Sequence, residues 1–364
     1  MPKISIVLPS FNGEKYIRES LDSIISQKFQ DWELIVVDDS STDNTMKIVN
    51  EYADNDSRIR LIHNEKNQKL PESLNIGFRT TRGKYLTWTS DDNTFESDAL
   101  EKMATFLDEH TEFDMVRADY QYIDDMGKII GRSAPFEEKK LYAYNCIGAC
   151  FLYRRVVMEN VGEYARNKFL VEDYDYWLRI LLSGSRIGNI EKQLYRYRLH
   201  PGSLTTKRAQ EIRYNESRLL AEKIEDIYEK LCIDNESLST FFIKTLYVKN
   251  IDISKYQMKI IQRLPLLNRV RICNKDENVF AYGAGDYGKK AFRLLGDHIL
   301  SYVDKDPQKV GTSLYGKDII SLDCFLSKRV PKLLIALSPE KIWNVIKELA
   351  QYGITDYLIL PENI

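Results

Sequence analysis

Among the runs of adjacent carboxylates in this chain, three could do chemistry: Asp38-Asp39, Asp91-Asp92, and Glu172-Asp173 with Asp175 beside them. Adjacent carboxylates repel, and a divalent cation or a hydroxyl-rich ligand between them relieves that field. A lone histidine, His200, stands in the loop run His200-Pro201-Gly202-Ser203. Each feature also has a plain structural reading. Asp91-Asp92, flanked by Ser90 and Asn93, would serve as a solvated acidic turn. The 172–175 cluster crowds the first turn of a helix, where the dipole favours negative charge. Loop histidines are more often structural than catalytic.

The elements that must position these residues are legible. Residues 3–8 read as a strand, ended by Pro9-Ser10-Phe11-Asn12-Gly13, and Tyr16, Ile17, Leu21, Ile24 and Ile25 then recur at helical spacing. Residues 32–37 form a nearly continuous apolar strand that delivers Asp38-Asp39. A helix starts near Asp43 as N-cap, residues 58–62 read as a strand, and a helix surrounds residues 70–78. Residues 85–89 make a fourth strand, ending at Asp91-Asp92 before a helix that starts at Ser97-Asp98. This alternation predicts a mostly parallel sheet with helices on both faces. Both aspartate pairs then fall on one sheet edge, the edge where open α/β sheets bind ligands. One shared polar site explains that coincidence better than two accidents.

Later residues read as a hairpin (115–123 with 128–131), a strand at 147–153, a helix from 170 to 184 with Trp177, Ile180 and Leu181 buried, and a strand at 193–199. Residues 205–274 are polar and helical, and form a connector between domains 1–204 and 275–364. Within it, residues 255–271 set Lys259, Arg263, Arg269 and Arg271 among apolar residues. That pattern fits a packed amphipathic helix and, as the alternative, a peripheral contact with an anionic membrane surface. A second, smaller α/β unit follows. A strand at 278–282 leads into Gly283-Ala284-Gly285-Asp286-Tyr287-Gly288, a helix, and a strand ending at Asp304. This is the context of a Rossmann dinucleotide fingerprint, in half-size form, with room for a nucleotide.

Composition narrows the classes. The 364 residues hold 52 basic and 54 acidic side chains, a balance that argues against general nucleic-acid binding. No stretch approaches the ~20 apolar residues that span a bilayer. Residues 1–6 run straight into a strand without the apolar core of a secretory leader. Cys146, Cys150, Cys232, Cys273 and Cys324 are an odd, scattered set that suits a reducing cytoplasm. Cys146 and Cys150 are spaced like half a metal site, but no second pair accompanies them.

The first two hundred residues resemble inverting, family-2 type glycosyltransferases of the GT-A fold. The resemblance runs through SIVLPSFNGEKYI, LIVVDDSSTDNT, SLNIGF, RGKYLTWTSDDN, LVEDYDYWLR and YRLHPGS, in that order. It implies an α/β fold with a GT-A nucleotide-sugar-binding domain, and a donor that is a nucleoside-diphosphate sugar, in the first instance a UDP-sugar. It assigns Pro9, Ser10, Asn12 and Asp39 to the nucleotide base and ribose, with Asp38 as supporting neighbour. Asp91 goes to the ribose, and Asp92 to a Mg²⁺ or Mn²⁺ on the donor diphosphate. Asp173 is the general base, Glu172 its substrate-side neighbour, and His200 lies near the metal and the departing diphosphate. Two departures stand out. An extra family carboxylate two places before the pair is Thr89 here, and an arginine expected before Asn75 is absent, which leaves Lys69 to supply positive charge to the phosphates.

The expected activity is metal-dependent, inverting transfer to a glycan or lipid-linked acceptor in cell-surface polysaccharide synthesis, in the cytoplasm or at the inner face of its membrane. Two rivals remain. One is an NAD(P)-dependent sugar-modifying enzyme working through Gly283, Gly285, Gly288 and Asp304. The other is a non-catalytic nucleotide-sugar scaffold.

Overall fold

The computed structural model describes residues 1–361 apart from 143, 232, 248–263, 265 and 329–331. The chain divides into two compact units, Met1–Glu216 and Ser217–Ile364. The residues expected to form a separate connector are thus divided between the two.

In the first unit the elements run β1 (Ile4–Ser10), α1 (Ile17–Ile25), β2 (Trp32–Asp38), α2 (Thr45–Asn55), β3 (Ile59–His63), α3 (Leu70–Arg79) and β4 (Tyr85–Trp88). They continue with β5 (Thr94–Phe95), α4 (Ala99–Glu109), β6 (Met115–Ile123), β7 (Ile129–Arg132), β8 (Phe151–Arg154), α5 (Arg155–Val161) and α6 (Glu172–Leu182). The last are β9 (Ile187–Arg198), α7 (Leu204–Lys207) and α8 (Ala209–Leu231), which runs past the division at Glu216.

One sheet takes the order β3-β2-β1-β4-β8-β6-β9-β5, with β7 alongside β6. The β3-β2-β1-β4 half is parallel, as the alternation requires. β8 then enters antiparallel to both β4 and β6. Ser10 pairs with Asp38 and Val7 with Trp88, so β1 ends between the two aspartate runs. Alternation along β1 sends Ile4, Ile6 and Leu8 into a core with Ile17, Leu21, Ile24, Val49 and Met103. Val7 points the other way, at Gly77 of α3. Helices therefore cover both faces, and the parallel strands carry near-continuous apolar runs because water reaches neither side.

Several boundaries differ from the sequence reading. β1 continues through Pro9 and Ser10. The N-cap of α2 is Asn44 rather than Asp43; the Asp43 carboxylate accepts instead from the amides of Thr45 and Glu14. The two-residue strand β5 escapes any periodicity test and exists because Thr94 and Phe95 pair with Arg196 and Tyr195. β8 starts only at Phe151, which leaves Cys146–Ala149 as loop, while β9 is longer than expected and follows β6 in parallel through two irregularities.

The second unit holds α9 (Asn235–Phe241), β10 (Val270–Ile272), β11 (Val279–Tyr282), α10 (Asp286–Leu295), β12 (Ile299–Val303), β13 (Ser313–Leu314) and β14 (Lys317–Ile320). After these come α11 (Leu322–Leu326), β15 (Leu333–Ile335), α12 (Pro339–Ala350) and β16 (Tyr357–Ile359). Its sheet has the order β10-β16-β15-β11-β12-β14-β13, parallel except for the last pair. The chain order reverses between β11 and β15, where Gly283 turns at φ +108° with the Ala336 carbonyl pressed against it. Most of the basic stretch 255–271 lies outside the described residues. Its described end forms a single 3-10 turn, Leu267–Arg269, after which Val270 and Arg271 extend the sheet beside Tyr357 and Leu358. Among the described residues no helix is long and apolar enough to cross a membrane.

The close approach of α3 to the sheet gives a direct test. A Cβ at Gly77 would stand 2.4 Å from Val7 Cγ1 and 3.2 Å from Val37 Cγ2. Alanine would gain about 1 kcal/mol of helix propensity, yet overpacking against two strands costs about 1–3 kcal/mol. Gly77→Ala should therefore lower the urea midpoint, whereas Gly131→Ala in β7, whose Cβ would meet only Tyr122 at an ordinary 3.5 Å, should not.

Candidate active site

A cavity of about 1070 Å³ opens at the C-terminal edge of the parallel strands in the first unit. Pro9, Ser10, Asn12, Asp39, Lys69, Asp91, Asp92, Glu172, Asp173 and His200 all line it. Six segments of chain are thus brought to one space. Asp38 is not among the lining residues. Its fully buried carboxylate accepts from His63 Nδ1 at 2.8 Å and from the Ser41 amide at 3.2 Å, which makes it a support for the β2 end.

Asp39 is aimed from below. It accepts from the Asn64 side chain at 2.9 Å, the Gln68 amide at 2.7 Å and the Lys69 amide at 3.0 Å. Lys69 adopts φ +72° to make that last contact, and its ammonium lies 5.9 Å over the Phe169 ring. Asn12, also at positive φ, accepts from the Thr42 amide and so ties the first loop to the second. Ser10 Oγ donates to Asp91 across the end of β1. That bond joins the strand ends bearing the two aspartate runs.

Further along the wall, His200 Nε2 lies 3.1 Å from Asp92 Oδ2, and the Gly202 amide donates to His200 Nδ1 at 3.2 Å. The proton of the neutral ring is therefore on Nε2, facing Asp92. As found, His200 orients Asp92, and direct ligation through Nε2 would need the other tautomer. Asp92 Oδ1 is buried without a hydrogen-bond partner, a lone pair available to a cation. No group of three His, Cys, Asp or Glu side chains able to hold a metal exists among the described residues. A Mg²⁺ or Mn²⁺ would fit here only as such ions usually sit, on one or two protein ligands with phosphate oxygens completing the shell. Thr89 is 1% exposed, with its hydroxyl 2.6 Å from the Tyr195 hydroxyl. It faces that ring, and the site holds one carboxylate fewer than the family pattern.

At the far wall Asp173 stands in the first turn of α6, accepting from Asn145 Nδ2 at 2.9 Å and the Tyr174 amide at 2.7 Å. Burial raises its pKa. Glu172 is raised by burial and then by Asp173, and its Oε2 has no partner. Asp91 is raised by burial and then by Asp92, and Asp92 by burial against the pull of His200. Perturbed carboxylates facing one cavity are the mark of a working site. Asp175 is not part of it; it pairs with Arg179 at 2.8 Å.

Sequence reasoning missed part of the wall. Asn145 sits in a loop with no motif around it. Tyr120 and Tyr122 share a face of β6, a spacing visible in sequence, but their meeting with Tyr197 follows from the β6–β9 register. Gly148, at φ +77°, lets the Tyr120 ring come close.

In the second unit, the Asp304 carboxylate accepts from the amides of Ala284 at 2.9 Å and Asp306 at 3.0 Å, and pairs with Lys309 at 3.2 Å. Burial would raise its pKa, but these contacts lower it overall. Gly283 and Gly288 are needed for close packing, with a Cβ at Gly288 falling 2.4 Å from the Gly283 carbonyl, while Gly285 is open. Three contacts from the unit's own loops thus engage the Asp304 carboxylate.

Comparison with known proteins adds the lineage. Residues 5–162 match the family described as Glycosyl transferase family 2. The putative glycosyltransferase EpsE of Bacillus subtilis is 33% identical over 204 residues, covering 54% of this chain and 73% of the relative. A PGL/p-HBAD biosynthesis glycosyltransferase of Mycobacterium bovis is 30% identical over 186 residues, 49% of this chain and 69% of its own. Crystal structures of S. aureus TarS share the fold. This chain spans 44% of one TarS chain, and TarS 1–349 superposes with a TM-score of 0.52 at 22% identity, covering 73% of this chain and 78% of that one.

Crowded carboxylates should cost stability when ionised. Since the folded pKa of Asp91 is raised to about 7, the penalty is absent below the unfolded value of ~3.9, accumulates as pH rises from there to about 7, and is complete above it. Asp91→Asn should therefore raise the thermal midpoint of the ligand-free protein at pH 8, with a smaller gain at pH 5. An equal gain at both would show that the repulsion is not the cause.

Proposed function

This chain belongs to glycosyltransferase family 2, and on that premise we propose a specific reaction. It moves a sugar, with inversion, from a UDP-sugar to a glycan or lipid-linked acceptor in cell-surface polysaccharide synthesis, using Mg²⁺ or Mn²⁺. The observation that carries this reading is that a base-like carboxylate, Asp173, shares one cavity with the Asp92–His200 pair.

Asp39 and the loop from Pro9 to Asn12 hold the nucleotide, with Asp91 on the ribose. Asp173 takes the proton from the acceptor hydroxyl. The freed oxygen attacks the anomeric carbon while the bond from that carbon to the diphosphate oxygen breaks on the opposite face. The nucleoside diphosphate leaves with the bonding electrons, and a single displacement inverts the centre. A divalent cation bound near Asp92 supplies positive charge to the leaving diphosphate. Lys69 adds charge from the other side, and Asn145 keeps Asp173 pointed at the acceptor. Burial makes Asp173 a stronger base than a free aspartate, because its conjugate acid is held more tightly.

A uridine donor is supported by TarS, whose crystals were obtained with UDP and with UDP-GlcNAc. A biosynthetic role is supported by the M. bovis relative, a PGL/p-HBAD biosynthesis glycosyltransferase. The nicotinamide rival has less support, since Asp304 is already engaged.

With UDP-sugars and acceptors screened for UDP release, Asp173→Asn should lower kcat by a factor of about 10²–10⁴, with UDP binding within threefold of wild type. Because the Asp173 pKa is raised, kcat/KM should fall on the acid side from a pH above the ordinary aspartate value of ~3.9. Near wild-type turnover in Asp173→Asn would remove it as the base.

A further inference from the structure

One buried guanidinium joins three parts of the first unit that lie far apart in sequence. Arg198 ends β9 and is 2% exposed. Its Nε donates to the Asp92 carbonyl at 3.0 Å. Its Nη1 donates to the carbonyls of Asp124 and Asp125 at 3.3 and 3.2 Å, in the turn between β6 and β7. Its Nη2 reaches Glu19 of α1 at 2.5 Å, and its amide donates to Asn93 Oδ1 at 2.7 Å. The group also lies 4.6 Å over the Tyr16 ring.

Burying a guanidinium is costly, and an apolar side chain often fills such a volume at no loss of stability. The arrangement is better explained by what it holds. Asp92 and Asp125 both line the cavity, as do Lys15 and Tyr16. The Asp125 carboxylate takes Lys15 Nζ at 2.7 Å and the Tyr16 hydroxyl. Tyr16 in turn packs edge-on against His200, with centroids 4.9 Å apart. The contacts of Arg198 with Asp92, Asp125 and Tyr16 all end on the wall that carries Asp92 and His200.

We propose that Arg198 is a positioning residue for the diphosphate end of the donor site. It fixes the main chain at Asp92 and at the 124–125 turn together, and so holds the Asp92 carboxylate, with its buried and unpartnered Oδ1, at the cavity wall. The role requires a planar fork that serves carbonyls on two segments at once, which a lysine ammonium cannot reproduce. It rests on the donor-site reading above, and the wild-type protein tests that reading separately.

The experiment is isothermal titration of the full chain with Mn²⁺ in the presence of UDP, and with UDP alone, for wild type, Arg198→Lys, Arg198→Gln and Glu19→Gln. Thermal unfolding is followed in parallel. Both Arg198 variants should weaken Mn²⁺ at least tenfold while UDP alone binds within threefold of wild type. Glu19→Gln, which alters only a 59% exposed partner, should weaken Mn²⁺ by about two- to fivefold with no change in midpoint. Wild-type Mn²⁺ affinity in Arg198→Lys together with a lowered midpoint would make Arg198 a packing residue and overturn the proposal. If the Arg198 variants do not fold, unchanged Mn²⁺ affinity in Glu19→Gln overturns it. Wild-type protein that binds neither UDP nor Mn²⁺ would bring down the donor-site reading, and this inference with it.

Discussion

Like charge held out of water is the constraint on which this structure turns. Asp91, Asp92, Glu172 and Asp173 stand around one cavity, each pushed toward its protonated form by burial. A fold accepts that cost only where something fixes the groups. Here the fixing is explicit: Ser10 on Asp91, His200 on Asp92, Asn145 and the Tyr174 amide on Asp173. On the proposed reading, a cation and a polar ligand at these groups would relieve that strain.

The sheet makes this arrangement affordable in geometry. β1 pairs in parallel with both β2 and β4, so two loops that end in aspartates must emerge side by side. The antiparallel half, β8-β6-β9, then carries the chain back so that α6 and the loop after β9 face those ends. Asp39, Asp91 and Asp92 come from the parallel half of the sheet, and Asp173 and His200 face them from the other half. The apolar residues of β1 and β2, buried throughout, supply the stiffness that holds the spacing.

Much of this was legible in the sequence, for stated physical reasons. Parallel strands buried on both faces read as apolar runs, so residues 4–10 and 32–38 announce themselves and their ends can be trusted to one or two residues. Asp39, Asp91, Asp92, Asp173 and His200, which line one cavity, stand out in the sequence because acidic or imidazole groups at strand ends and helix starts are conspicuous. Sequence cannot say which of Asp38 and Asp39 turns inward, since alternation in an extended chain sends neighbours to opposite sides; here it is Asp38 that is buried, on His63 and Ser41. β5 was invisible because two residues have no period. Asn145 and Arg198 were missed for another reason: their partners lie 28 and 106 residues away, and only the completed sheet brings them together. In the second unit the glycine turn was recognised correctly, but the occupation of Asp304 by neighbouring amides has no signature in sequence.

The account's central claim is that the Asp39 and Asp92 strand ends form the two ends of one donor site. A crystal structure of the chain with UDP and Mn²⁺ tests it most directly. The account predicts uracil beside Asp39 and the diphosphate bridged to Asp92 through Mn²⁺ at about 2.0–2.2 Å from a carboxylate oxygen. UDP found instead at the Gly283 turn of the second unit, with the cavity of the first unit free of nucleotide, would contradict it.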